Sequence, residues 1–206
     1  MSDSVDERRQ HWQGVYAGKS VDQVGWHQPV LSVSLELIAQ AGVGSGAAVI
    51  DVGGGASTLA DSLLAKGCAV TVLDTTAAAI EAGRARLGDD QVSWLLADVT
   101  TWQPDIRFDL WHDRGVFHFF TEAADRAAYL ATLGAALKPG GHLVVGTFAL
   151  DGPERCSGLP VVRYDAAAMG RELGPGFTFR AEAFDDHTTP GGMAQRFWFG
   201  LFQRNG

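Results

Sequence analysis

The chain has 206 residues, 19% of them charged and 46% hydrophobic, and a formal net charge of −8. This length supports one domain with a sizeable core, and the acidic balance argues against a generic nucleic-acid surface. No apolar run approaches the roughly 18 residues of a membrane span, and the first ten residues lack the apolar centre of a signal peptide. Cys68 and Cys156 make no disulfide framework, so a reducing, cytoplasmic setting is expected.

The first 45 residues are expected to form two helices, over 5–16 and 29–41. The loop between them, 17–28, contains Trp26 and His27. This N-terminal part reads as a lid over a core at 46–206. Val49, Ile50 and Val52 end a buried strand, and Gly53, Gly54 and Gly55 follow as a tight turn with room for another molecule to lie against it. Ser57 can cap a helix over 57–66, with Leu59, Leu63 and Leu64 on one face and Gly67 as its stop.

Residues 68–73 are a second strand ending at Asp74, and 76–87 an Ala-rich helix. Residues 91–96 are a third strand ending near Asp98. A fourth, 108–111, is followed by His112-Asp113-Arg114. A helix over 121–137 places Leu130, Leu133 and Leu137 at helical spacing. Lys138-Pro139-Gly140-Gly141 breaks it before a fifth strand over 142–148. This β-α alternation predicts a parallel sheet covered by helices on both faces. After a helix over 165–173, strands over 177–184 and 196–203 are joined by a Pro190-Gly191-Gly192 turn and should pair antiparallel.

Ligands of open parallel sheets bind beyond the carboxyl ends of the strands. Asp51, Asp74 and Asp98 stand at three of those ends, and Asp74 lies 19 positions beyond Gly55, a spacing that suits an acid holding ribose hydroxyls. Asp51 before the glycines would repel a pyrophosphate but accept a ligand with an amino group and a sulfonium. Strand-end aspartates also cap helices and end turns, so each has a purely structural alternative.

Residues 49–57, Asp74, Asp98 and Leu137-Lys138-Pro139-Gly140-Gly141 resemble the motif series of class I S-adenosylmethionine-dependent methyltransferases. The resemblance runs from Pro29 to Arg204. It departs from the usual Asp-x-Gly-x-Gly-x-Gly at Ser57, where the family has a third glycine. It implies a Rossmann-like α/β fold, with a mostly parallel seven-stranded sheet and an antiparallel C-terminal hairpin. S-adenosylmethionine is the implied cofactor. Gly53 and Gly55 would pass under its methionine part, Asp74 would hold the ribose and Asp98 the adenine edge. Trp26, Asp51, Thr75, Val99 and Asp113 would complete the cofactor contacts.

Trp12, Gly25-Trp26-His27-Gln28 and Trp111-His112-Asp113-Arg114-Gly115 are similar to elements of thiopurine methyltransferases. Some protein-lysine methyltransferases carry a related Asp-Lys-Gly. The resemblance therefore points both to small thiols and to lysine side chains. The leading expectation is a small-molecule acceptor with a sulfur or other chalcogen, nitrogen or oxygen nucleophile. A protein-lysine enzyme and a non-catalytic cofactor-binding regulator are the alternatives. A nicotinamide-dependent dehydrogenase fits poorly, because of Asp51 and the final hairpin.

Arg114 is the cation expected beside a thiolate. His118, or else His112 or His27, is the base expected for a hydroxyl or ammonium substrate. His27, Phe117, Phe148 and Cys156 are expected to line the acceptor pocket, with Trp26, Phe117 and Phe148 as its aromatic walls. The structural alternatives are a bridge from Arg114 to Asp113 or Asp109 and a packed His118. The six histidines are dispersed, so no metal site is expected. A monomer or a homodimer fits the sequence equally.

Overall fold

The computed structural model describes residues 2–18, 24–189 and 191–206. Residues 19–23 of the expected loop and Pro190 of the expected turn lie outside them. Strands β1 (Ala48–Val52), β2 (Ala69–Asp74), β3 (Val92–Leu96), β4 (Phe108–Arg114), β5 (Leu137–Phe148), β8 (Phe177–Thr188) and β9 (Ala194–Arg204) form one sheet in the order β3-β2-β1-β4-β5-β9-β8. The first five are parallel. β9 runs antiparallel to β5, and β8 antiparallel to β9. β6 (Arg155–Cys156) and β7 (Leu159–Pro160) make a separate small hairpin.

The chain winds outward from β1 through β2 to β3, then returns to place β4 on the other side of β1. Sequential loops therefore diverge at β1/β4, and a crevice opens beyond the carboxyl ends of these strands.

The helices are α1 (Ser2–Ala17), α2 (Ser32–Gln40), α3 (Leu59–Ala65), α4 (Ala77–Leu87), α5 (Ala123–Ala136) and α6 (Ala166–Leu173). Strand side chains alternate between two cores. Val49, Leu110, Val144 and Phe199 pack with Leu37 of α2 and Leu59 of α3. Ile50, Trp111, Val145 and Trp198 pack with Tyr129 of α5 and Met169 of α6. Both faces are buried, so the central strands read as continuous apolar runs.

Element boundaries shift in two informative places. The helix after the glycine turn starts at Leu59, with the Ser57 hydroxyl accepting the Leu59 N–H at 3.1 Å. The fourth strand runs on to Arg114, so His112, Asp113 and Arg114 lie within β4 rather than after it. In the sheet, His112 is the register partner of Asp51.

Candidate active site

The glycine turn is shaped first by the chain's own packing. Gly53 has φ +70°, and a Cβ there would lie 2.3 Å from Val116 Cγ2. A Cβ on Gly54 would come within 2.2 Å of Asp51 Oδ2, and one on Gly55 within 2.7 Å of Ala79 Cβ on α4. The space that a Cβ would need at Gly54 and Gly55 is filled by Asp51 and Ala79. Gly55 lines neither cavity. Its N–H donates to Asp74 Oδ2 at 3.3 Å and so fixes the carboxylate at the end of β2. The Thr76 N–H and hydroxyl donate to Oδ1 at 2.9 and 3.1 Å. Burial still raises the Asp74 pKa to about 6, against the pull of these donors.

Asp51 and His112 form a buried pair across β1 and β4, Nδ1 to Oδ1 at 2.7 Å. Nε2 of His112 meets Ser34 Oγ of α2 at 2.9 Å. Both ring nitrogens are thus engaged inside the protein, and His112 has no free base to offer a substrate. Asp51 Oδ2 is buried without a partner.

Two adjoining cavities open at the crevice. The larger, about 880 Å³ with its mouth, reaches from Asp74, Thr75, Asp98 and Val99 past Gly53 to Arg114, His118 and Cys156. The smaller, about 480 Å³, lies between Asp51, Gly53 and Gly54 on one side and Trp26, His27 and Gln28 on the other; Arg114 borders both.

α1 roofs the larger cavity with Arg8, Trp12 and Tyr16. Their spacing of four sets them on one stripe of the helix. Arg8 donates through Nε to Asp98 Oδ2 at 3.1 Å and through Nη1 to Asp125 Oδ2 at 2.9 Å. Trp12 stands edge-on to Trp26 and Phe119, and Tyr16 edge-on to Trp26. The Trp26 segment is held in turn by the last hairpin. His187 Nε2 donates to the Gly25 carbonyl at 2.7 Å, and Gln28 Nε2 to Asp185 Oδ2 at 2.7 Å.

At the far end, Arg114 Nη1 donates to the Trp26 carbonyl at 2.8 Å, and its guanidinium lies 4.9 Å from the Phe197 ring centre. It pairs with neither Asp113 nor Asp109, which instead holds Lys138. Burial lowers its pKa to about 10. His118 is 1% exposed. Burial, then the neighbouring Arg114, push it down to about 3, so it is neutral. Burial raises the Cys156 thiol, against weaker opposing pulls from Ser157 and Arg114.

Residues 50–143 match the family model of a methyltransferase domain. The match spans β1 to β5 and makes this part of the chain similar to a methyltransferase domain. Its fold is shared with solved structures of low sequence identity. One is the 1,6-didemethyltoxoflavin-N1-methyltransferase of Burkholderia thailandensis, solved with 1,6-didemethyltoxoflavin and S-adenosylhomocysteine. It is 21% identical over 100% of this chain and 87% of that one, with a TM-score of 0.71. Another is the N-methyltransferase NodS of Bradyrhizobium japonicum with S-adenosylhomocysteine, 19% identical over 84% of each chain, TM-score 0.65. A third comes from work on the conversion of a disulfide bond into a thioacetal group during echinomycin biosynthesis. It is 23% identical over 96% of this chain and 93% of that one, TM-score 0.75. No curated protein matches the chain in sequence.

The larger cavity brings together Trp26, Gly53, Asp74, Thr75, Asp98, Val99, Arg114, His118 and Cys156. Asp51 and His27 line the smaller one. Asp113, Phe117 and Phe148 line neither, which corrects their expected roles. Asp113 is fully buried, accepting the Val116 N–H at 2.9 Å and the Tyr129 hydroxyl at 2.6 Å. Phe117 packs on Tyr129 and Tyr164, and Phe148 on His118 and Phe197. Trp12, Tyr16, Phe119, Phe120 and Phe197 supply aromatic walls instead. Of these only Trp12 carried a sequence signal; the four-residue spacing of Arg8, Trp12 and Tyr16 was the readable clue to the roof. Among the described residues no His, Cys, Asp and Glu cluster suits a metal, and no helix is long and apolar enough to cross a membrane.

Proposed function

We propose that this protein is a methyltransferase that moves a methyl group from S-adenosylmethionine to a small molecule held beside Arg114 and His118. The observation that carries the reading is one continuous cavity with an acidic end and a basic end on either side of Gly53. Asp74 at the acidic end suits ribose hydroxyls, and Leu73, Ala97, Val99 and Phe120 form apolar walls there that suit a purine. The unpartnered, buried Oδ2 of Asp51 suits the amino group of the cofactor's methionine part in the adjoining space. The fit is less direct at Asp98. Both of its oxygens already accept hydrogen bonds, from Arg8 and Thr100, so an adenine amino group would have to share them. S-adenosylhomocysteine in two structures of this fold supports the same cofactor.

When bound, the cofactor supplies the electrophilic methyl group. The chain's own residues align the acceptor and exclude water. The roof of α1 and the Trp26 segment favour a small acceptor over a lysine presented on a protein surface. The test is methyl transfer from radiolabelled S-adenosylmethionine to thiols, phenols, amines and basic proteins. Small molecules should be labelled; label only on basic proteins would overturn this acceptor class. Asp74→Asn should weaken S-adenosylhomocysteine binding about tenfold to a hundredfold, the scale of hydrogen bonds to a charged group. Unchanged affinity by calorimetry would remove Asp74 from the ribose site.

A further inference from the structure

The basic end of the cavity holds two donor side chains with three nitrogens that no described residue satisfies. Arg114 Nε and Nη2 are both shielded from solvent and have no partner among the described residues. A buried guanidinium without an anion is costly, and protein interiors normally pair such a charge. Asp185 and Asp51 act on it only through space, and Phe197 lies on its face. The second donor is His118. Its Nδ1 faces the Phe148 N–H at 3.4 Å. A backbone N–H can only donate, so Nδ1 carries the lone pair, and a neutral ring then carries its proton on Nε2. Nε2 is buried and unpartnered. It faces Gly115, where a Cβ would lie 3.5 Å from it, and Gly115 lines the cavity.

No group lining this end of the larger cavity is fit to take a proton, and His27 lies in the adjoining smaller cavity. His118 presents N–H, Cys156 is a buried thiol with a raised pKa, and Arg114 is a cation. The cavity's remaining charged and titratable groups are Asp74, Tyr16, Asp98 and Arg8. Asp98 and Arg8 are paired with one another, and Tyr16 is held protonated by burial and by Asp74.

Building on the proposed cofactor reading, we infer that the methyl acceptor is a small, flat acid whose nucleophilic atom arrives already ionised, received by Arg114 and the Nε2–H of His118 between aromatic walls. The acceptor's lone pair forms the new bond to the methyl carbon. The carbon–sulfur bond breaks, and its electron pair stays on sulfur as a neutral thioether. No proton has to leave, so the absence of a base is no obstacle. Arg114 and His118 act here as binding and specificity residues, and His118 is not a general base.

The test uses the full chain and two chromophoric acids, 4-nitrophenol and 4-nitrothiophenol, with 4-nitroanisole as the uncharged control. Each acid is titrated by its visible absorbance in the presence and absence of S-adenosylhomocysteine. The bound acids should ionise about one to two pH units below the free acids, the usual effect of a close opposite charge. The anisole should bind at least about tenfold more weakly. Arg114→Met should abolish the shift and leave the fold intact, since it removes an unpaired buried charge. Arg114→Lys should keep part of the shift. His118→Gln can still donate and should retain more of it than His118→Phe.

With S-adenosylmethionine, kcat/KM should rise to the acceptor's own ionisation and then stay level. Methylation at sulfur or at oxygen identifies the preferred atom, and either supports the proposal. An unshifted ionisation, no binding of either acid, or equal binding of the anisole would overturn it. So would an Arg114→Met variant that loses S-adenosylhomocysteine as strongly as it loses the acids, because the cation would then serve the cofactor's carboxylate. Shifted acids on wild-type protein that does not bind S-adenosylhomocysteine would instead strike the cofactor reading alone.

Discussion

His118 shows how one buried side chain sets both chemistry and stability. Its folded pKa is about 3, below the unfolded value of about 6.5. The unfolded chain therefore binds the extra proton first, and stability is lost as pH falls below about 6.5. The loss is at most about 2 kcal/mol between pH 6.5 and 5. Asp74 and Asp113, both raised to about 6, act in the opposite sense, because the folded state takes up their protons first. Wild type should therefore lose up to that amount more than His118→Gln over this interval, since the aspartate contributions cancel in the comparison. Urea unfolding at several pH values measures the difference. Parallel curves for the two proteins would mean that His118 does not stay neutral in the fold.

At the scale of elements, α1 is a roof fastened at one end by charge and along its length by aromatic edges. Arg8 ties it to Asp98 beyond β3 and Asp125 on α5, while Trp12 and Tyr16 rest on Trp26. The first link is well shielded, with side-chain exposures of 16% and 7%. Arg8→Ala should therefore loosen α1 without unfolding the sheet. Amide exchange over α1 should quicken about tenfold, with the strands unchanged. The same variant frees Asp98, so a gain in S-adenosylhomocysteine affinity would mark the Arg8 contact as a competitor for the adenine end. Exchange that quickens throughout the chain would instead make α1 an integral part of the core.

For the whole molecule, the cavity lies where the strand order reverses, so its walls come from segments far apart in the chain. A ligand there touches the N-terminal helix, four strand ends and the final hairpin's support at once. S-adenosylhomocysteine at a hundred times its dissociation constant should add about 2.7 kcal/mol, a rise in melting temperature of roughly 5–10 °C for a chain of this size. NAD should give no comparable rise. Stabilisation by NAD alone would contradict the cofactor reading.

The sequence by itself determined the β-α alternation, the closing antiparallel pair and the acids at the ends of β1 and β2. These are local signals: hydrophobic period, glycine stops and the spacing from Gly55 to Asp74. Tertiary structure decided which of those residues face the cavity. Asp113, Phe117 and Phe148 look like site residues in the chain but turn into the core. A sheet covered on both faces buries Asp113 of β4 and Phe148 of β5, and Phe117, in the short helical turn after β4, packs on Tyr129 and Tyr164. Asp51 and His112 are 61 positions apart and become neighbours only through parallel register. The partnerless nitrogens of Arg114 and His118 are a property of packing alone. No sequence pattern records that a donor has been left without an acceptor, and at the basic end of the cavity that omission distinguishes a site for an anion from an ordinary core.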